Sequence, residues 1–380
     1  MSRYLLISVI LPYFTVLYSQ PGNYYMPLEV QKAYQKGFRS VDGLPGENYF
    51  QNKADYTINV EYVPENKLVK ASGDIIFHNN SPQHLKYIVL RLHQNVFLKG
   101  GIRGREVDPG DLHNGMTLNH IEINGTKHKP DSHVLKNQTN VVFPLHLDPG
   151  KKARIYLEWE FTMPSNTTNR FGCYGNSSCF IAYWYPQVAV FDDVSGWDLT
   201  DYTGVAEFYN NYGDFNINIR VPGDYIVWAT GELTNPGKIL REPFLERYNN
   251  AKTSDKIIRI IEKKDLKSKS GITKKGKNTW EYSAVNVNDF AFGISNNYLW
   301  DATSVEISYP DSNKRVFIET AYNPSSENFK QVAELAAWSV RDYSEDLPGI
   351  PYPYPKLAIF NGKEGMEFPM IMNNGESDYK

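Results

Sequence analysis

Cysteine is nearly absent from this 380-residue chain. Only Cys173 and Cys179 occur, separated by Tyr-Gly-Asn-Ser-Ser. Two thiols cannot make a structural zinc site, which takes about four ligands. In an exported chain such a pair is expected to close a local disulfide that pins one loop. Histidine is also sparse and runs out early: all eight residues lie between His78 and His146, scattered through strand and loop patterns. Isolated histidines of that kind are ordinary surface or core residues, and none is assigned as a metal ligand. Charge of one sign is lacking too. The formal net charge is −3, which gives no global field for nucleic acid. Internal repeats and low-complexity tracts are missing. After residue 19 there is no apolar run long enough to span a bilayer.

Residues 1–19 read as a secretory signal. Arg3 supplies the positive start, Tyr4 to Leu17 is mostly apolar with Pro12 interrupting, and Ser19 is a small residue before a cut at Gln20. The expected product is exported, secreted or periplasmic, with no transmembrane segment once the signal is removed. Asn-x-Ser/Thr triplets start at Asn79, Asn124, Asn137, Asn166 and Asn176. They are acceptors for glycans only on a eukaryotic secretory route.

What is abundant is aromatic and turn-forming: 27 Tyr, 19 Phe and 7 Trp beside 27 Gly and 22 Pro. That mixture favours a turn-rich, β-rich globular protein. A lead-in covers residues 20–53. It holds a short helical pattern from Met26 to Lys36, with Pro27 at its start and Gly37 as its cap, then a Gly- and Pro-rich loop. From 54 to 301 the pattern is strand after strand. Tyr56, Ile58, Val60 and Tyr62 alternate with polar residues, and Ile88–Leu92, Val141–Phe143, Ile155–Phe161, Ile217–Val221 and Ile226–Trp228 are placed in the same class. Period two predicts half-buried strands of a large antiparallel sheet. The turns carry Asn124-Gly125, Pro149-Gly150 and Pro222-Gly223. The stretch from Lys256 to Lys277 is rich in Lys and Arg without a nucleic-acid motif, so a solvated loop or helix is expected.

At 302 the character changes. Two short strands, Val305–Ser308 and Arg315–Ile318, precede a helix carrying Phe329, Ala333, Ala336, Ala337 and Val340 on one face. Ser325 or Ser326 is its expected cap. After Pro348-Gly349 comes Tyr352-Pro353-Tyr354-Pro355-Lys356, the apolar run Leu357-Ala358-Ile359-Phe360, and Gly365-Met366-Glu367-Phe368-Pro369. A carboxylate beside a glycine on a strand suits one task. The strand pairs with an extended peptide while the acid takes a positive charge at the peptide's end.

These last motifs resemble the exopeptidase signature of the M1 family of zinc aminopeptidases. The ordered stretches Trp184-Tyr185-Pro186-Gln187, Phe191-Asp192-Asp193, Gly196-Trp197, Glu207-Phe208-Tyr209, Ala229-Thr230-Gly231 and Val287 to Phe292 are similar to that family's N-terminal domain. The resemblance spans most of residues 26–376. It implies a mainly β fold: a large antiparallel β domain over 54–301, then, at 302–380, the start of an α+β thermolysin-like catalytic domain. It implies that Glu367 binds the free α-amine of a peptide substrate, with Gly365 and Met366 along the substrate backbone. Gln187 is placed on the amine side of the substrate, or else simply bonds a loop. Phe368-Pro369 stands where the commoner pattern has Asn, as in a secreted bacterial branch. Trp184, Tyr185 and Trp197 read as core.

The resemblance also implies a zinc ion, held by His-Glu-x-x-His and a later Glu. No His-Glu-x-x-His occurs in this sequence. The expectation is therefore an N-terminal fragment whose zinc ligands and catalytic tyrosine lie beyond Lys380. Two competing readings remain: a secreted, non-catalytic peptide-binding β protein, and a glycan-active β-sandwich, which leaves the Gly365-Met366-Glu367 motif unexplained.

Overall fold

The computed structural model describes residues 25–375 apart from 134, 137, 166–169, 206–208, 268–270, 309–312 and 364. The signal segment, Asn137, Asn166, Glu207 and Phe208 therefore lie outside the described residues. The chain forms two compact units, one ending at Tyr49 and one starting at Phe50. In the first, the helix Leu28–Gln35 is followed by Gly37, whose φ of +71° is the left-handed end of a helix.

The second unit is mainly β. Its largest sheet has eight strands in the order Glu232–Leu233, Lys277–Val287, Gly213–Pro222, Lys53–Val63, Leu68–His78, Lys152–Thr162, Thr117–Ile123, Thr126–His128. The alternation read from the sequence is what builds it. Ala54, Tyr56, Ile58, Val60 and Tyr62 all point into the core while their neighbours face out. Ile58 and Val60 each contribute about 1.5–3 kcal/mol by leaving water. One pair departs from the antiparallel expectation: Lys53–Val63 and Gly213–Pro222 run parallel, with Ile58 opposite Ile217.

Three expectations about half-buried strands are corrected. Ile88, Val89, Leu90, Arg91 and Leu92 are all buried, and so are Val141 to Phe143 and Ile226 to Ala229. These strands belong to two four-stranded sheets covered on both faces, which is why they read as continuous apolar runs. Trp184, Tyr185 and Trp197 are core residues. Asn79 is wholly buried, and its amide donates to the carbonyls of Gln83 and Leu147 at 2.8 and 3.1 Å. It is therefore closed to a glycan.

A six-stranded sheet follows the order Ile258–Ile261, Leu299–Ser308, Asn313–Tyr322, Lys356–Asn361, Ile371–Asn374, Met366–Phe368. Its first strand comes from the basic stretch expected to be solvated. Ile260 and Ile261 are buried there, whereas Lys263, Lys264 and Lys267 lie on the short helix Lys263–Lys267, which buries no residue. The two strands after 302 are ten residues each, and the first already begins at Leu299. Neighbouring residues on this sheet serve opposite faces. Phe317, Ala358 and Phe360 join the main core, whereas Ile318 and Ile359 pack with Phe329 and Val340 of the helical segment. That segment is a 3-10 turn, Glu327–Gln331, leading into the α-helix Val332–Glu345. Ser326 stands at its start without capping it; the hydroxyl donates to Asn361 Oδ1 at 2.7 Å. The helix leaves Leu335, Trp338 and Tyr343 exposed on its outer side. Among the described residues no helix is long and apolar enough to cross a membrane.

Candidate functional site

The Gly365-Met366-Glu367 motif opens the last strand of the six-stranded sheet. Met366–Phe368 is an edge strand of three residues, paired on one side only, with Ile371–Asn374. Its register sets Met366 opposite Asn373, Glu367 opposite Met372 and Phe368 opposite Ile371. Pro369 and Met370 make the turn between them, and Met370 takes a left-handed φ of +61°.

Strand alternation decides where the carboxylate goes. Phe368 is buried, its ring 5.7 Å from that of Phe180 and 5.4 Å from that of Tyr183. Glu367, one residue earlier, points the other way and is exposed. Among the described residues it forms no hydrogen bond or ion pair, so its charge is open to a ligand. At Gly365 a side chain would meet no atom within 4 Å. Nothing in this part of the fold requires glycine there, and the space in front of it is open.

The hairpin that carries Glu367 is fastened from beneath. Thr230 is wholly buried, and its hydroxyl donates to the carbonyl of Pro369 at 2.8 Å. The amide of Asn373 donates to Tyr174 Oη at 2.8 Å and to the carbonyl of Arg170 at 3.0 Å. Tyr174 lies on the loop closed by the Cys173–Cys179 disulfide. Gly362 passes so close that a Cβ there would come within 1.7 Å of Asn373 Oδ1 and 2.5 Å of Tyr174 Oη. The adjoining strand brings in Lys356. Its ammonium is 2.6 Å from Glu319, donates to the carbonyl of Ala229 at 3.0 Å, and stands 5.1 Å from the centre of the Tyr282 ring.

Gln187 lies in a different sheet from Glu367. It is buried, opposite Arg91 in a four-stranded sheet, and its amide reaches Tyr185 Oη and the carbonyl of Asn288 at 3.4 and 3.5 Å. None of these bonds touches the 365–368 strand. Next to it Asp289 accepts from Tyr185 Oη and from the Phe290 amide, each at 2.7 Å. Burial pushes the Asp289 carboxyl up to about 6 against those two donors. His93, buried against Tyr183 and Tyr202, is driven down to about 3 by burial and by the charge of Arg91.

Sequence reading placed Gly365, Met366 and Glu367 on one strand but passed over Thr230, Tyr174, Asn373 and the Lys356–Glu319 pair. One signal for the pair was present: Glu319 directly follows the apolar run Val316-Phe317-Ile318. Among the described residues no group of three or more His, Cys, Asp and Glu is arranged to hold a metal ion.

No family profile matches the sequence, and no curated protein matches it. Solved structures do. An M1 zinc metallopeptidase from Deinococcus radiodurans superposes with a TM-score of 0.50 at 13% identity, over 87% of this chain and 62% of that one. An alanine mutant of that metallopeptidase gives a TM-score of 0.51 at 12% identity, with the same coverage. A further structure of the mutant, bound to a Tyr-Ser-Ala substrate, matches at a TM-score of 0.47. At such identities the likeness is one of fold. The chain spans 62% of the length of these metallopeptidases.

Proposed function

We propose that this chain is part of an exported zinc aminopeptidase that removes N-terminal residues from peptides, with Glu367 recognising the free α-amine. The observation that carries this reading is an exposed carboxylate on a free sheet edge. A peptide can add to the open side of Met366–Phe368 as a further strand, held by main-chain hydrogen bonds. The Glu367 carboxylate then meets the terminal ammonium, while Gly365 leaves room for the approaching backbone. The fold shared with zinc metallopeptidases supports the hydrolase class.

The described residues do not supply a donor set that fits zinc, so no catalytic step is assigned to them. In this reading the ligands come from sequence outside these residues, residues 54–301 form a β domain, and 302–380 begin the catalytic domain. Residues 1–19 act as the export signal. Cys173 and Cys179 serve the site indirectly, by fixing the loop that carries Tyr174.

Calorimetric titration of the chain with a tripeptide, free or acetylated at its N-terminus, tests the reading. A charge-assisted hydrogen bond is worth about 1.5–3 kcal/mol, so the free amine should bind roughly 10- to 150-fold more tightly. Equal affinities would remove Glu367 from the role. Tight amine-dependent binding by a natural product with no zinc site at all would favour the non-catalytic peptide-binding protein.

A further inference from the structure

We propose that Thr230 and Tyr174 are positioning residues for Glu367, clamping the two ends of the hairpin that carries it. The inference rests on the peptide-amine reading above and adds the device that sets the carboxylate's place.

The need for such a device follows from the strand itself. Met366–Phe368 is three residues long and has one partner strand. Three residues at a sheet edge make few ladder bonds, and an edge segment of that kind opens locally unless it is held in place. The proposed contact is demanding. A charge-assisted hydrogen bond spans about 2.7–2.9 Å, and a site that is loose by about 1 Å loses much of its function.

The clamps are found at opposite ends of the hairpin. At the turn, the Thr230 hydroxyl donates to the Pro369 carbonyl and accepts the Ala291 amide at 3.1 Å. Its backbone is fixed as well, since the Thr230 amide donates to the Ala291 carbonyl at 2.9 Å. The preceding carbonyl, that of Ala229, is held by buried Lys356. Thr230 is therefore a rigid post. The turn meets it through one hydroxyl, two residues from Glu367, and is held besides by the Ala358 amide, which donates to the Met370 carbonyl at 2.8 Å. At the open end, Asn373 is the register partner of Met366, and its side chain is locked by Tyr174 Oη and the Arg170 carbonyl. Tyr174 is rigid in turn, because its strand is cross-linked to the next by the Cys173–Cys179 disulfide. Neither clamp is on the exposed side of the hairpin, so each acts through Glu367 and not on the ligand.

The test compares Thr230→Val, Thr230→Ser and Tyr174→Phe with the parent chain. The reading is the ratio of affinities for the free and the N-acetylated tripeptide, with thermal melting recorded in parallel. Thr230→Val and Tyr174→Phe should each lower the ratio about three- to tenfold, through weaker binding of the free-amine peptide alone. Thr230→Ser keeps the hydroxyl and should restore the parent ratio. If both hydroxyl deletions lower the melting temperature and leave the ratio unchanged, the clamps are structural only and the inference is wrong. Glu367→Gln separates the two levels. Should it too leave the ratio unchanged, the amine reading fails; should it collapse the ratio while the clamp variants do not, only this inference fails.

Discussion

The Lys356 ammonium lies 2.6 Å from the Glu319 carboxylate, and the two side chains are 4% and 3% exposed. A pair so deeply buried forfeits its hydration, and the mutual attraction offsets that loss only while both partners are present. Lys356→Met should therefore strand Glu319 and cost about 3–5 kcal/mol. Lys356→Met with Glu319→Leu should recover most of it. Urea unfolding of the parent, the single and the double variant measures this. A single variant as stable as the parent would show that the pair is not desolvated as described.

Stability should respond to pH through two buried groups with opposite signs. The Asp289 carboxyl, raised to about 6 in the fold, has an unfolded value near 3.9. Its contribution is complete below about pH 3.9 and is lost as pH rises through 6. The size is on the order of 3 kcal/mol. Asp289→Asn keeps an acceptor for Tyr185 and Phe290, and it should abolish this loss between pH 4 and 7. A variant whose stability profile parallels the parent's would contradict the assignment.

His93 works the other way. Its ring is held down to about 3 in the fold, against about 6.5 unfolded. It contributes stability above about pH 6.5 that is lost as pH falls toward 3. His93→Gln should flatten the acid limb of the unfolding curve. A limb of unchanged steepness would mean that other groups drive acid unfolding.

The Cys173–Cys179 bond closes a loop of six steps along the chain. Loop-closure entropy for so short a loop amounts to about 2 kcal/mol. Cys173→Ala with Cys179→Ala should destabilise the protein by about that much in chemical denaturation. It should also loosen the seat of Tyr174. No change in stability would show that the loop is held by its packing alone.

How much of this was legible beforehand differs by element. The outward-facing strands could be read because one face is wet: Ala54 to Tyr62 alternate visibly in the sequence. Ile88–Leu92, Val141–Phe143 and Ile226–Trp228 could be found as strands but were read as half-buried, since a strand covered on both faces loses its period. The Ile258–Ile261 strand was hidden by the lysines beside it, although four consecutive residues include three isoleucines. Glu367 was legible because glycine, acid and proline sit close together in a recognisable order. Thr230 and Asn373 were not, because each acts across a contact between segments more than a hundred residues apart (Thr230 with Pro369, Asn373 with Tyr174). Gln187 was legible through its motif, and in the fold its amide reaches Tyr185 and Asn288.

The central claim is that Glu367 reads the charge of a peptide's free amine, and a double cycle tests it most directly. Four affinities are measured by calorimetry: parent and Glu367→Gln, each with the free and the N-acetylated tripeptide. The account predicts that the two changes are not additive, with a coupling of about 1.5–3 kcal/mol and almost no further loss from acetylation once the carboxylate is gone. Additive effects, with Glu367→Gln still distinguishing the two peptides as strongly as the parent does, would contradict it.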